Sequence, residues 1–360
     1  MKKTGLMVVF CLLFLASSNV MASVLTTMDS GGDRLVAMQY SNGAWGWPLT
    51  SPPTYSNIHG PIAMGLAKAY EATGDAGQYT ALSNAGAYFL TKKEGNGTVA
   101  DKGSFSASDG YLAYELDTIF GGTTYTDYIK AEFYDKLAAG TYTRAGVDYS
   151  TATYVGLIQA SRAGTNMAAW DIGMGLAAAA LVGADTTAWI AGTEAEINEL
   201  NVSQYYDVLG LAGAIYGLST AGVAFDPTAG AYAAAGSLQD LGTSLASYQL
   251  STGGFTWSPG AMDEGMDNET IQETAYSILA LNSLLGFNTQ VDNAANYLIT
   301  AQLGTGGWEN SSGSGENNEV TGEALWAISD ANPVPEPSTL LLLGVGLAGL
   351  VGFGRKQFKK

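Results

Sequence analysis

Apolar and small residues recur at helical spacing along most of this chain, and the strict alternation typical of strands is scarce. Leu176, Ala179, Ala180 and Gly183, for example, fall on one face of a helix. The pattern predicts helices, separated by Gly, Thr, Asp and Pro, over 60–70, 79–92, 108–120, 125–139, 150–161, 167–181, 188–200, 204–218, 236–248, 270–285 and 320–328. These are eleven ranges, and we expect about twelve or thirteen helices in all, so the sequence predicts an all-α protein.

A glycine–aromatic turn is repeated along the chain. The segment Tyr248–Phe255 returns as Ala301–Trp308, which places Gln249 and Gln302 53 positions apart, and Met38–Trp45 is a looser copy. An Ala-rich helix follows each copy, and Thr274–Ala280 aligns with Thr321–Ala327. A repeat of this length and content indicates stacked helix pairs.

This turn, with a glutamine four residues before two glycines and an aromatic residue, resembles the repeat of the squalene–hopene cyclase and protein prenyltransferase β-subunit superfamily. The resemblance is strong over residues 240–330, fair over 35–72 and weak between them. It implies a single α/α toroid of about six helical hairpins, in which inner helices are wrapped by outer ones. Separate domains or an open solenoid are the lesser alternatives.

The first 22 residues have the composition of a secretory signal peptide. Lys2 and Lys3 precede an apolar stretch, Leu6–Leu15, and Val20–Ala22 provides a cleavage site before Ser23. The only cysteine, Cys11, lies in this segment, so the exported chain has no disulfide and no thiolate chemistry. We expect residues 23–332 to form the toroid.

The last 28 residues predict a second targeting segment. A Pro-rich break, an apolar run and a basic end follow one another, and this order resembles the PEP-CTERM sorting tail that an exosortase recognises at the bacterial cytoplasmic membrane. The resemblance assigns sorting to Pro335, Glu336, Pro337, Arg355 and Lys356. A membrane helix over about 338–354 would be roughly 26 Å long, close to the thickness of a bilayer core.

The basic end of this tail favours the cytoplasm, so the body faces outward. We therefore expect a chain that is exported by its signal peptide and anchored in the cytoplasmic membrane, facing the periplasm. After sorting by the exosortase it would reach the cell surface or the extracellular space.

The predicted body is strongly acidic. It carries nine of the 15 Lys and Arg residues and 32 of the 33 Asp and Glu residues, and none of 163–354 is basic. Nucleic acid is therefore excluded as a partner, because phosphate binding depends on basic side chains. Carboxylates without nearby cations are solvated, capped, protonated or bound to metal; no metal ligands are assigned, and calcium is the ion that would suit them.

The catalytic residues of the resembled superfamily are missing. No DxDD motif, which supplies the acid of class II terpene cyclases, occurs in the sequence; the nearest cluster is Asp263-Glu264-Gly265-Met266-Asp267. The zinc site of prenyltransferases needs Cys and His, whereas the predicted body has only His59. The Cys-Gly-Glu-Gln stretch of the thioester proteins is absent too.

With those motifs absent, catalysis by paired carboxyl groups is the remaining possibility, because many Asp and Glu residues stand near predicted helix starts. A pair of carboxyl groups about 5–10 Å apart, one with a raised pKa, hydrolyses a glycosidic bond. The catalytic candidates are Asp109, Asp171, Asp207, Glu269, Glu273 and Glu319, and Asp148 and Glu323 stand at comparable points. The ligand-lining candidates, most of which would stack on sugar rings, are Trp45, Trp47, His59, Trp170, Trp257 and Trp308. Helix capping and packing between hairpins are the structural alternatives for these residues.

Three functional hypotheses follow from these patterns. The first is a surface-sorted toroid that binds extracellular polysaccharide or another extracellular ligand. The second is a glycoside hydrolase, or a polysaccharide lyase that would need a cation beside its uronate. The third is a terpenoid-binding, cyclase-like protein without the DxDD acid.

Overall fold

A computed structural model describes residues 3–47, 49, 58–93, 105–202, 205–257 and 269–333, with side chains from Met21 onward. It is mainly helical, as predicted. The helices are α1 Lys3–Met38, α2 His59–Thr73, α3 Ala76–Phe89, α4 Asp109–Phe120, α5 Thr124–Ile129, α6 Asp135–Ala139, α7 Thr151–Ser161, α8 Met167–Leu181, α9 Thr187–Glu199, α10 Asp207–Thr220, α11 Leu238–Ala246, α12 Ile271–Asn282, α13 Asn288–Ala301 and α14 Asn318–Ala331.

Three antiparallel two-stranded hairpins accompany the helices in the described part of the chain. They are β1 Tyr142–Arg144 with β2 Val147–Tyr149, β3 Phe255–Thr256 with β4 Glu269–Thr270, and β5 Trp308–Glu309 with β6 Glu316–Asn317. The second and third lead directly into α12 and α14, so they fix where those helices begin.

Six helices form a closed inner ring. Going around the ring, α2 packs on α4, then α8, α10, α12 and α14 follow, and α14 packs back on α2. The remaining helices lie outside this ring, as α3 and α13 do against α2 and α12. The predicted α/α toroid of about six hairpins is therefore confirmed.

Two ends of the ring can be distinguished, because side chains near the starts of the inner helices meet one another, as do those near their ends. Gln272 of α12 donates to Glu323 of α14 near their starts. Asn282 donates to Asp330 at the ends of the same two helices. We call the end where the inner helices begin the mouth end, and the end where they finish the tail end.

The repeated glutamine anchors each glycine–aromatic turn to an outer helix. The side-chain amide of Gln249 donates to the carbonyl of Gly253 at 2.9 Å and to that of Gln290 in α13 at 2.8 Å. Gln39 makes the corresponding bonds to Gly43 and to Ala81 in α3. The sequence repeat is thus a repeated joint between neighbouring hairpins.

The third copy of this joint closes the ring. Gln302 donates to Gly306 at 2.8 Å and to Thr27 of α1 at 3.0 Å. Gly306 has a left-handed φ of 94°, and a Cβ there would lie 2.4 Å from the Ser30 carbonyl oxygen, so glycine is required for this contact. The N-terminal helix therefore packs as the outer helix that follows α13.

Aromatic rings fill the middle of the ring. The ring of Trp326 in α14 lies 4.7 Å from Tyr111 of α4 and 6.1 Å from Tyr216 of α10. Trp170 of α8 lies 5.3 Å from Tyr276 of α12. Each of these pairs joins helices that are not neighbours in the ring, so these side chains meet across its axis.

The structure differs from the sequence expectations in several segments. Helices α1 and α13 lie where no helix was predicted. Asp148, predicted at a helix start, lies on β2 and accepts a hydrogen bond from Thr143. The predicted helix 125–139 contains a π-helical turn, Lys130–Tyr134, between α5 and α6. In the described part of the chain, no helix combines the length and apolar character needed to cross a membrane. The predicted membrane helix 338–354 lies outside the described residues.

Candidate functional site

Acidic side chains gather where the inner helices begin. Asp109, Asp207, Glu273 and Glu319 lie in the first turn of α4, α10, α12 and α14. Carboxylates are favoured there because the helix N-terminus carries a partial positive charge. The sequence-predicted candidates therefore share the mouth end, although they belong to several separate clusters.

The most accessible of these clusters contains Asp171 and Glu319. Arg162 precedes α8, and its Nε donates to Asp171 Oδ2 at 2.7 Å. Glu319 is half-buried, and its carboxylate accepts no hydrogen bond from any other described residue. Burial and then the negative charge of Asp171 raise the pKa of Glu319 to about 7, although the Arg162 charge opposes this.

A second carboxyl group lies one turn further along α14. Glu323 is buried and accepts hydrogen bonds from Gln272 at 3.0 and 3.1 Å and from the Tyr276 hydroxyl at 3.0 Å. Burial, followed by the charge of Glu319, raises the pKa of Glu323 well above its usual range. Its surroundings therefore favour the protonated form of Glu323. We call Arg162, Asp171, Gln272, Glu319 and Glu323 the acidic mouth.

Asp109 belongs to a separate, fully buried cluster. Its carboxylate is paired with the Lys92 ammonium group and accepts a 2.8 Å hydrogen bond from the Ser106 amide. His59 lies between the rings of Trp45 and Tyr88, and its Nε2 contacts the Ala85 carbonyl at 3.1 Å. Burial, helped by the Lys92 charge, lowers the pKa of His59 to about 3, so this imidazole stays neutral.

Asp207 is held in a third cluster. It is buried and accepts a 2.5 Å hydrogen bond from the Tyr232 hydroxyl, which lies 3.2 Å from the Tyr248 hydroxyl. Asn166 donates to its other oxygen at 3.4 Å. Burial raises the pKa of Asp207 to about 6, and the Tyr232 hydrogen bond opposes that rise.

Glu269 and Glu273 lie on β4 and in the first turn of α12. Both are buried, and burial raises the pKa of each. Glu273 accepts a hydrogen bond from Thr270. Glu269 Oε1 is buried without a hydrogen-bond partner. These two acids lie beside the acidic mouth, and neither exchanges a hydrogen bond with its five residues.

The predicted ligand-lining tryptophans divide into packing and exposed residues. Trp45 and Trp308 are buried, and each indole donates at 2.8 Å to a carbonyl ten residues earlier, Leu35 or Leu298. Both therefore contribute to packing between hairpins. Trp170 is half-buried against Tyr276, and Trp47 is 41% exposed.

A stacked aromatic pair lies beside these helix starts. Tyr205 is 64% exposed and stacks on Trp257, with ring centroids 4.4 Å apart and an angle of 12° between the planes. Its carbonyl accepts a 3.4 Å hydrogen bond from Asn166, which precedes α8. The next residue, Tyr206, has a φ of 67°, a strained conformation for a bulky side chain. Tyr205 was not predicted from the sequence, because nothing in its neighbourhood repeats.

A polar cavity of about 440 Å³ adjoins the acidic mouth through Arg162. Gln159, Asn166, Glu196 and Glu199 are among its polar lining residues. Gln159 donates to Glu196 at 2.8 Å. The cavity therefore offers hydrogen-bonding groups of both kinds next to the Asp171–Arg162 pair.

Within the described residues, no three His, Cys, Asp or Glu side chains are grouped to hold a metal ion. The calcium ion considered from the sequence has no candidate ligand set in that part of the chain. The cluster at 263–267 and the sorting residues Pro335, Glu336, Pro337, Arg355 and Lys356 lie outside the described residues.

The raised pKa values predict that the protein becomes more stable on mild acidification. A carboxyl group with a higher pKa in the folded state binds protons more tightly there, so stability falls as the pH rises toward that pKa. Glu319 and Glu115 have pKa values of about 7, and that of Asp207 is about 6. We expect a higher urea midpoint at pH 5.5 than at pH 7.5.

His59 acts in the opposite direction below pH 6.5, because its folded-state pKa is lowered, but it is one group against several carboxyls. The Glu319→Gln variant, which cannot titrate at this position, should show a smaller change in midpoint between the two pH values. A urea midpoint that falls on acidification would contradict the upward pKa shifts of these carboxyl groups.

The comparisons with known proteins agree with this architecture. Residues 333–356 match the PEP-CTERM protein-sorting motif. The chain therefore carries an export and sorting signal at its C-terminus, as its residues predict. No curated protein matches the sequence.

Solved structures share the fold at low sequence identity. The type II terpene cyclase MstE from Scytonema is 12% identical with a TM-score of 0.54, over 88% of this chain and 99% of the cyclase. A glycosyl hydrolase of family 88 from Bacteroides vulgatus is 13% identical with a TM-score of 0.53, over 88% and 99%. A protein from Actinoplanes is 14% identical with a TM-score of 0.51, over 86% and 99%. These similarities show the toroid fold alone.

Proposed function

We propose that this protein is an exosortase-sorted surface protein that binds an extracellular polysaccharide at its acidic mouth. The observation that carries the proposal is the half-buried Glu319 carboxylate beside the Asp171–Arg162 ion pair. Its lack of a hydrogen bond from the described residues leaves it available to ligand hydroxyl groups. Mixed donors and acceptors suit a sugar, which carries both on every ring.

The middle of the ring supports a polar ligand over an apolar one. Tyr111, Tyr276 and Trp326 are buried and occupy the region that a terpenoid would enter. The polar groups of the acidic mouth lie nearer the helix starts, where a ligand meets carboxyl, guanidinium and amide groups. A purely apolar ligand would leave these groups unsatisfied, which costs free energy.

Tyr205 supplies the second element of a sugar site. Its exposed ring, rigidly backed by Trp257, offers a flat apolar surface for the C–H face of a pyranose. Because Asn166 holds the Tyr205 carbonyl and lines the polar cavity, the aromatic pair and the cavity are neighbours.

Affinity electrophoresis of the full-length chain in mild detergent, against a panel of bacterial exopolysaccharides, tests this proposal. At least one polysaccharide should retard the protein, and Tyr205→Ala should weaken that binding about tenfold, the equivalent of one aromatic contact. Tyr79→Ala is the matched control, because Tyr79 is 42% exposed and packs near the tail end against Phe120. No retardation by any polysaccharide, or equal effects of Tyr205→Ala and Tyr79→Ala on binding, would contradict the proposal.

Glycoside hydrolysis is a second candidate function, favoured by the unequal environments of Glu319 and Asp171. Hydrolysis needs one protonated and one ionised carboxyl group. With a pKa of about 7, Glu319 can hold a proton near neutral pH. Burial raises the pKa of Asp171 as well, but the charge and the hydrogen bond of Arg162 oppose that rise and favour its ionised form. Protonated Glu319 would give its proton to the leaving oxygen as the glycosidic bond breaks, and ionised Asp171 would take a proton from the water that attacks the anomeric carbon.

Assays of retardation and of reducing-end release with the same polysaccharides distinguish binding from hydrolysis. If the protein is a hydrolase, Glu319→Gln should reduce the release of reducing ends about 10²–10⁴-fold. Retardation in the gel should fall far less, because the glutamine amide still accepts hydrogen bonds but cannot supply the proton. Retardation without any release of reducing ends from the unaltered chain would rule out hydrolysis and leave the binding function.

A further inference from the structure

Both ends of the toroid domain leave the ring at its tail end. Helix α14 finishes at Ala331, where Asn282 holds Asp330 at the ends of α12 and α14. Helix α1 lies beside the turn between α2 and α3, because Gln78 contacts the Asp29 carbonyl at 3.4 Å. Burial, then the charge of Asp33 and then that of Asp75 in this turn, raise the pKa of Asp29, so Asp29 lies near the turn.

These two ends are the ones that the sequence connects to membrane segments. Residues 333–356 carry the sorting motif, and the predicted membrane helix begins at about Ser338. The predicted signal segment precedes Ser23 and is continuous with α1. Before the signal segment is cleaved, both segments direct this side of the ring toward the bilayer, and after cleavage the tail alone does so.

The connection after α14 is too short for the opposite orientation. The six residues 332–337 span at most about 20 Å when fully extended. To bring the mouth end to the membrane, they would have to pass an outer helix, about 10 Å away, and then the height of the ring, about 21 Å for a 14-residue helix.

We propose that, while the tail is inserted, the tail end of the ring faces the lipid bilayer and the acidic mouth opens away from it. The tail end presents Leu285, which is 87% exposed in the turn between α12 and α13, as an apolar contact for the interface. Acidic residues of the tail end limit how closely it approaches an anionic membrane. Glu71 and Glu115 share the single ammonium group of Lys68, and anionic headgroups repel the remaining negative charge.

The orientation is independent of the polysaccharide proposal, since it depends only on where the chain enters and leaves the ring. It nevertheless bears on function, because a large polymer outside the membrane would reach the acidic mouth without passing between the protein and the lipid.

Energy transfer from single fluorophores tests the orientation. In a Cys11→Ser background of the full-length chain, a donor is attached to Leu285→Cys at the tail end or to Ser312→Cys in the exposed turn between β5 and β6 at the mouth end. Each protein is inserted into phosphatidylcholine nanodiscs with acceptor-labelled headgroups. Transfer should be severalfold more efficient from position 285 than from position 312.

Equal or reversed efficiencies would overturn the proposal, and so would the absence of transfer from both positions, because the tail would then not hold the ring at the bilayer. Circular dichroism of each variant checks the helical fold. Twenty flexible residues inserted after Asn332 in the signal-processed protein should reduce the difference between the positions. An unchanged difference would show that the short connection does not set the orientation.

Discussion

Lys92→Met should lower the free energy of unfolding by about 3–5 kcal/mol, the usual cost of removing one partner from a buried ion pair. Neither Lys92 nor Asp109 is exposed to solvent. Without the ammonium group, the carboxylate would remain in an apolar environment where water cannot replace its partner. Burial already raises the pKa of Asp109, so the variant should also bind a proton on folding at neutral pH.

Urea denaturation of the full-length chain, followed by circular dichroism, measures this loss. Lys136→Met is the control, because its pair with Glu132 lies on the helix surface and contributes about 0.5 kcal/mol or less. The double variant Lys92→Met/Asp109→Asn should recover part of the loss, since no buried charge remains. Similar effects of Lys92→Met and Lys136→Met would contradict the burial of this pair.

Gly65→Ala should destabilise the protein by several kcal/mol, although it adds a single methyl group. A Cβ at Gly65 of α2 would lie 2.2 Å from the Gly322 carbonyl oxygen of α14. The obstacle is main chain, which cannot rotate away, so the two helices would have to separate where the ring closes. Inner helices α8 and α10 make a similar approach, with a Gly173 Cβ 2.3 Å from the Gly213 carbonyl oxygen.

The same substitution at Gly156 is the matched control. Gly156 lies in α7, and a Cβ there meets no atom within 4 Å. Alanine in an open helical position should raise the free energy of unfolding by about 0.5–1 kcal/mol, because it restricts the unfolded chain. One substitution should therefore have opposite effects at two helical glycines. Stabilisation by Gly65→Ala would contradict the close packing of α2 and α14.

Much of the fold could be predicted because the glycine–aromatic turns that join its hairpins are short sequence motifs that repeat along the chain. The alignment of Thr274 with Thr321 predicted equivalent positions, and in the structure each hydroxyl accepts the main-chain N–H of Phe255 or Trp308. The β1–β2 hairpin was missed because each strand has only three residues and because Ala145, the first residue of its turn, adopts a left-handed φ of 60° that alanine does not indicate.

The candidate site could be predicted only in part. Acids at helix starts were found, since position along a helix is a local property. Their partners could not be found, because folding selects them: Glu323 is bonded by Gln272, 51 residues earlier, and Asp207 by Tyr232 from an irregular segment. Whether a carboxyl group is paired, protonated or accessible depends on these distant neighbours.

The hydrogen bond from Gln302 to Thr27 spans 275 residues and joins the first and last hairpins. A protein exported from its N-terminus presents the apolar face of α1 outside the cytoplasm long before α13 and α14 arrive to cover it. We expect chaperones outside the cytoplasm to bind this helix early, and folding to be slow, because the contact order is high. A nonsense mutation near the 3′ end of the coding sequence would therefore leave an open, protease-sensitive arc rather than a slightly shorter ring.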